Sequence, residues 1–332
     1  MTATSFAEQI KLFQSDIEEL KNVLQYSFVG QEGLVKDLLS ALLAGGHVLL
    51  EGLPGLGKTH LAKAIAAGMG LDLSRIQCTP DLMPSDITGS EILVHDEARR
   101  QHLEFRPGPV FAPMVLVDEI NRATPKTQAA LLEAMQEGQV TYAGTRYPLP
   151  RPFWLLATQN PIELEGTYPL PEAQLDRFLF KLVVDFPTAE ALATLVDRSL
   201  DDEPADHIRP LFSAERLDEM MALVREVVIA EPLKRAAVAL VLATHGDRPG
   251  GSPLAGAHFR YGASPRGLQS LLRAARVRAL MAGRGHIALE DIEAVALPSL
   301  RHRVLLNMES EMDGIDADVV LGEIVQAWRK EH

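Results

Sequence analysis

The chain has a single cysteine, Cys78, among 332 residues. A lone cysteine excludes a disulfide framework and a cysteine-based metal site. Aromatic residues make up only 5% of the chain, and they are not interleaved with basic ones, as they are where bases stack on a protein surface. Basic residues are also outnumbered. There are 32 Lys and Arg against 45 Asp and Glu, a net charge of −13, and no dense Lys/Arg run, so a nucleic-acid partner is not expected. Long hydrophobic runs are missing too. The longest apolar stretch, around Leu38 to Leu50, is too short and too glycine-rich to span a bilayer. The start, Met1-Thr2-Ala3-Thr4-Ser5-Phe6, lacks the basic-then-apolar pattern of a signal peptide. The ten histidines show no metal-ligand spacing, and His286 and His302 read as surface or helix-end residues. There is no internal repeat and no low-complexity segment. A cytoplasmic enzyme of about two domains is the default expectation.

What is present is organised around Gly52-Leu53-Pro54-Gly55-Leu56-Gly57-Lys58-Thr59, which fits the phosphate-binding pattern G-x-x-x-x-G-K-[ST]. The apolar run His47-Val48-Leu49-Leu50 precedes it as a buried strand. Leu61 to Ala67 follows as a helix, giving the strand–loop–helix setting the motif needs. Glycines let the backbone bend so that its N–H groups surround phosphate oxygens, and the positive end of the helix dipole adds to the same field. Lys58 is expected to reach the β- and γ-phosphates, and the Thr59 hydroxyl to ligate Mg²⁺.

Pro113 to Glu119 reads as a second buried strand ending in two carboxylates. Beside a phosphate-binding loop, Asp118 is the expected Mg²⁺ ligand, and Glu119 the residue that polarises the attacking water. Phe153 to Thr158 is a further strand, ending at Gln159-Asn160-Pro161. The Asn160 amide is a candidate for the attacking water or γ-phosphate, although Asn-Pro alone reads as a turn. Strands at 73–77 and 179–186 complete a parallel α/β layer. Hairpins are expected where Glu91–Val94 and Gln101–Phe105 flank the polar segment 96–100, and around Ala143-Gly144. Thr124-Pro125 opens a helix that Gly138 ends, with Ala129, Leu132 and Met135 on one face. Residues 6–25 and 32–44 read as amphipathic or apolar helices. Between them, Phe28-Val29-Gly30-Gln31 reads on periodicity only as a turn.

After Pro187 the pattern becomes helical, at about 189–199, 213–226, 231–244, 264–282, 289–297 and 316–330, with no strand expected and a Gly/Pro-rich loop over 245–262. The chain therefore divides at 1–187 and 188–332. In Ser264-Pro265-Arg266, Arg266 falls in a first helical turn, where a cation opposes the helix dipole. An arginine aimed at phosphate would resolve that conflict.

The ordered set Gly52 to Thr59, Asp118-Glu119, Asn160, Arg177 and Arg266 resembles an AAA+ ATPase. Val115 to Arg122, Ala157 to Pro161 and Pro169 to Phe178, with Leu300-Arg301-His302-Arg303, are similar to the MoxR family over nearly the whole chain. The resemblance implies a five-stranded AAA+ core followed by a smaller all-α lid, ATP and Mg²⁺ as cofactors, and ATP hydrolysis. It implies Walker A residues Lys58 and Thr59, with Gly52, Pro54, Gly55, Gly57 and His60 around the nucleotide and Val29 and Gly30 near adenine. It also implies Walker B residues Asp118 and Glu119, sensor residues Asn160 and Arg266, and Arg177 as an arginine finger acting on the neighbouring subunit's ATP. A hexameric homo-oligomer, a protein client and a von Willebrand factor A domain partner follow from the same likeness. Competing readings are an MCM-like nucleic-acid motor, a magnesium-chelatase-like motor subunit, a P-loop kinase or GTPase, and an ATP-binding scaffold.

Overall fold

The computed structural model describes residues 5–95, 101–162, 166–199 and 208–332. The polar segment expected at the first hairpin's tip, 96–100, and the N-terminal residues 1–4 lie outside these.

Two helices lead. Helix α1 (Phe6–Ser27) starts at a capping box in which Glu8 N donates to Ser5 Oγ (3.3 Å) and Ser5 N to Glu8 Oε2 (2.8 Å). Its stripe Ile10, Phe13, Ile17, Leu20 and Leu24 is buried, while Phe6 at its start stays exposed. Helix α2 (Glu32–Leu43) is buried over most of its length. Strand β1 (Val48–Glu51) then runs into the glycine loop and α3 (Lys58–Gly68). Strand β2 (Leu73–Gln77), the short α4 (Pro84–Thr88) and a hairpin of β3 (Gly89–His95) and β4 (Gln101–Pro107) follow. Next come β5 (Met114–Asp118), a 3₁₀ turn (Ile120–Arg122) and α5 (Pro125–Glu137). Thr124 caps α5, and Gly138 ends it at φ 61°. The buried face of α5 is formed by Leu131, Leu132, Ala134 and Met135. Ala129, expected on that face, is exposed, because the helix turns its buried side one position away. A hairpin of β6 (Gln139–Tyr142) and β7 (Thr145–Pro148) precedes β8 (Trp154–Gln159), α6 (Glu172–Leu175) and β9 (Phe180–Val183).

Strands β2, β5, β8, β1 and β9 form one parallel sheet in that order. Every residue of β5 is buried, as are Trp154 to Thr158 of β8. A parallel sheet covered on both faces selects such continuous apolar runs rather than alternation.

The rest is mainly helical: α7 (Ala189–Ser199), α8 (Ala214–Glu226), α9 (Glu231–Ala243), α10 (Pro253–His258), α11 (Pro265–Met281), α12 (Leu289–Leu300), α13 (Met308–Met312) and α14 (Ala317–Glu331). Contrary to expectation, strands occur here. Strand β10 (Phe259–Tyr261) pairs antiparallel with β11 (Leu305–Leu306), and both are too short to show any alternation. Helix α10 likewise sits inside the stretch read as loop.

Contacts gather the chain into two compact units. One comprises Leu49–Leu170 and Val183–Ala214; the other comprises Met1–Val48, Pro171–Leu182 and Glu215–His332. In the second unit, Arg273 of α11 donates to the Ala44 carbonyl (2.6 and 3.1 Å) and the Gly45 carbonyl (2.9 Å), satisfying orphan acceptors where α2 ends. Arg216 of α8 pairs with Asp16 of α1 at 2.6 Å. These bonds explain why the N-terminal helices group with the C-terminal ones.

Candidate active site

The glycine loop leaves β1 with Gly55 at φ 81° and Gly57 at φ 76°. Both lie in the left-handed region that glycine enters without steric cost. At Gly52 the constraint is space: a Cβ there would meet the Val184 carbonyl oxygen at 2.8 Å. Gly52 N also donates to the Gln159 carbonyl (3.2 Å), which ties the loop's start to the end of β8. Lys58 opens α3 and donates from Nζ to the Gly52 carbonyl. Pro54 lies on the loop. His60 follows in α3's first turn, where burial lowers its pKa.

Thr59 Oγ1 lies 3.2 Å from Asp118 Oδ2 and donates to it. Asp118 is buried at the C-terminal end of β5. Its other contacts are the Arg75 guanidinium (Nε to Oδ2, 2.6 Å) and the Thr158 hydroxyl (3.3 Å to Oδ1). Glu119 sits at φ 56°, ψ 51°, left-handed for a residue with a Cβ. Such a conformation costs about 1–3 kcal/mol and persists only where the surroundings impose it. Those surroundings are visible. The Glu119 N–H donates to Thr158 Oγ1 (2.9 Å), and its Oε2 accepts from Gln77 Nε2 (3.1 Å) and Arg122 Nη1 (3.0 Å). Arg75 Nη2 also donates to Gln77 Oε1 (2.9 Å), so one hydrogen-bonded chain joins the two carboxylates. Asn160 is buried. Its Oδ1 accepts from Ile162 N (3.3 Å), while Nδ2 has no partner among the described residues. A buried amide donor without an acceptor is costly; a bound anion or ordered water would satisfy it. The Cys78 thiol, next to Gln77 in sequence, is pushed up to about 12 by burial, with the Asp118 and Glu119 charges adding to it.

One compact unit thus brings together the glycine loop, Lys58, Thr59, Asp118, Glu119 and Asn160. Val29, Gly30, Arg177 and Arg266 belong to the other. Val29 and Gly30 form the turn before α2, with Gly30 at φ 75°. Arg177 follows α6 and is half-buried. Arg266 is exposed in the first turn of α11, and its backbone N–H donates to the capping Ser264 Oγ (3.1 Å). His302 corrects the sequence reading. It is buried, with Nε2 3.1 Å from the Phe178 carbonyl, and burial, aided by the Arg303 charge, holds its pKa well below 6.5.

Sequence reasoning missed Arg75, Gln77 and Thr158. A signal existed for two of them. Gln77 ends β2 and pairs in register with Asp118, and Thr158 lies near the end of β8. Polar residues closing parallel strands beside a phosphate loop face the ligand crevice.

Known proteins share this arrangement. Residues 47–180 match the family model described as the ATPase family associated with various cellular activities (AAA), and residues 253–324 match the AAA lid domain. The chain is 38% identical to the chaperone MoxR1 of Mycobacterium tuberculosis, over 98% of this chain and 84% of that protein. It is 36% identical to the protein MoxR of Methylorubrum extorquens, over 86% of each. A crystal structure of a proposed ATPase from Cytophaga hutchinsonii superposes with a TM-score of 0.87 at 37% identity, covering 96% of both chains. Sequence motifs, sheet order, family models and relatives agree: the chain belongs to the MoxR family of AAA+ ATPases.

Proposed function

We infer that this chain is an ATP-hydrolysing chaperone that remodels or activates a client complex, working in the cytoplasm as a hexameric ring with a von Willebrand factor A domain partner. Residues 1–187 serve as the nucleotide-binding domain and 188–332 as the lid. The observation that carries the ATPase reading is the meeting of the Thr59 hydroxyl and the Asp118 carboxylate at 3.2 Å beside the glycine loop. One carboxylate, one hydroxyl and substrate phosphates are the way proteins commonly hold Mg²⁺. The donor set therefore fits that ion, which when bound neutralises charge on the β- and γ-phosphate oxygens.

The chain's own groups do the rest. Loop N–H groups and Lys58 bind the phosphates, and Val29 and Gly30 border the adenine. Glu119, held by Gln77 and Arg122, orients and polarises the attacking water. The buried Nδ2 of Asn160 supplies a donor to that water or to the γ-phosphate. Arg177 from the neighbouring subunit stabilises charge developing in the transition state, an effect worth about 10³–10⁵ in rate, and Arg266 completes the phosphate contacts. Hydrolysis then removes the ligand of both arginines and frees the ring to shift. A protein client is favoured over nucleic acid by the β3–β4 hairpin, whose Leu93 and Leu103 pair across the strands and stay 55% and 63% exposed. Apolar, uncharged side chains there suit a protein surface rather than phosphate.

Two variants test the reading together. Lys58→Ala is expected to lose nucleotide binding, and Glu119→Gln to bind ATP without turnover. A tagged Glu119→Gln protein, held with ATP, should retain a von Willebrand factor A domain protein that Lys58→Ala releases. Turnover by Glu119→Gln at the wild-type rate would overturn the catalytic assignment. Nuclease-sensitive partners alone would favour the nucleic-acid motor.

A further inference from the structure

The segment Leu300-Arg301-His302-Arg303 has no part in the mechanism so far, yet it holds one of the most heavily bonded side chains described. Arg303 is 7% exposed. Its Nε donates to Asp176 Oδ1 (2.8 Å). Its Nη2 donates to the Asp176 carbonyl (2.9 Å) and the Phe178 carbonyl (2.6 Å). Its Nη1 donates to the carbonyls of Leu179 (3.2 Å) and Ser299. The guanidinium fork therefore grips the backbone on both sides of Arg177. His302 adds a bond to the same Phe178 carbonyl at 3.1 Å.

The other side of Asp176 leads to Arg266. Asp176 Oδ1 also accepts from Ser264 Oγ at 2.7 Å. That same Oγ caps α11 by accepting from Arg266 N. Gly267, next along, leaves room for Arg303, since a Cβ there would lie 3.1 Å from Arg303 Cδ. A continuous chain of bonds thus runs from the backbone around Arg177 through Arg303, Asp176 and Ser264 to the first turn of α11. All these residues belong to one compact unit. Five acceptors around one planar cation define a geometry that a lysine could not reproduce.

We propose that Arg303 and Asp176 are positioning residues that fix Arg177 and Arg266 to one another, so that both arginines move as a single body when the nucleotide state changes. This rests on the phosphate roles given to Arg177 and Arg266 above. A misplacement of about 1 Å can cost on the order of 10²-fold in rate, so a loosened joint should cost catalysis without costing binding of the product nucleotide, which has no γ-phosphate for the arginines to meet.

The test uses the full-length protein with Arg303→Lys and, as a milder change, Asp176→Asn, which leaves the Arg303 bonds to backbone carbonyls in place. Each is expected to lower kcat about 100-fold, with ADP affinity within about twofold and thermal unfolding still cooperative. A merely structural role would not predict the second readout. Nitroxides placed by Glu172→Cys on α6 and Gln269→Cys on α11, both exposed in the structure, report the spacing of the two segments. Cys78 is buried, with its thiol pushed up to about 12, so it does not compete for label. The distance distribution should be narrow with Arg303 and broaden in both variants. Wild-type kcat in both variants would overturn the proposal, as would lost kcat with an unchanged narrow distribution. If Arg303→Lys fails to fold, Asp176→Asn decides alone. Arg177→Ala, run in parallel, separates the two ideas: its hydrolysing ATP at the wild-type rate would reject the arginine's role, while the distance measurement would still judge the joint.

Discussion

Glu119 and His302 show how single positions take their character from distant partners. Glu119 is legible as a strand-end acid, and Arg122 reaches it from three positions along. But its contact with Gln77 comes from a register between parallel strands, and its left-handed backbone is tied to Thr158 of β8, neither of which a local pattern encodes. The sequence reads His302 as a surface or helix-end residue. It is buried by contact with Phe178, 124 positions away. Burial has a consequence in pH. The folded imidazole's pKa is depressed, so the unfolded chain takes up a proton that the folded one refuses. The stability this neutral group contributes is whole above about 6.5, the unfolded imidazole's value, and declines as pH falls below it, by at most about 1.4 kcal/mol per pH unit. His302→Gln, which keeps a donor for the Phe178 carbonyl, should flatten that acid limb in denaturant titrations at pH 5 and 7; an unchanged slope would assign it to other groups. Gly52 offers a second test. A Cβ there meets the Val184 carbonyl, which is backbone and cannot step aside. Gly52→Ala should cost about 1–3 kcal/mol in chemical unfolding.

At the scale of elements, legibility followed burial. Strands β1, β5 and β8 were readable because both of their faces are covered, so each is an apolar run, whereas β2 carries Ser74, Arg75 and Gln77 and buries only Ile76. Cutting into that layer should be expensive: Trp154, fully buried in β8, predicts a loss of about 3–5 kcal/mol for Trp154→Ala. Helix α5 was readable from its ends, Thr124 and Gly138. Thr124→Ala should destabilise by about 1 kcal/mol through the lost cap, measured by urea denaturation. Strands β10 and β11 were unreadable, being too short to carry a period, and they exist only through pairing with each other. Arg75, Gln77 and Thr158 escaped for a related reason. Their role depends on which strands are neighbours, and the order β2-β5-β8-β1-β9 departs from chain order.

For the whole molecule, the two halves of the proposed chemistry lie in different compact units: the glycine loop with Asp118 and Glu119 in one, Arg177 and Arg266 in the other. If Arg177 is supplied in trans, as proposed, hydrolysis is conditional on assembly. Specific ATPase activity should therefore rise with protein concentration and level off once assembly is complete; activity per chain independent of concentration, in a sample shown to dissociate, would contradict this. The most direct measurement mixes two inactive proteins. Arg177→Ala subunits keep Glu119 but offer no finger, and Glu119→Gln subunits keep Arg177 but lack the base. If Arg177 acts on the neighbouring subunit's ATP, each alone should hydrolyse poorly and the mixture should regain turnover, at Arg177→Ala sites served by Glu119→Gln neighbours. A mixture that co-assembles and stays inactive would contradict the account.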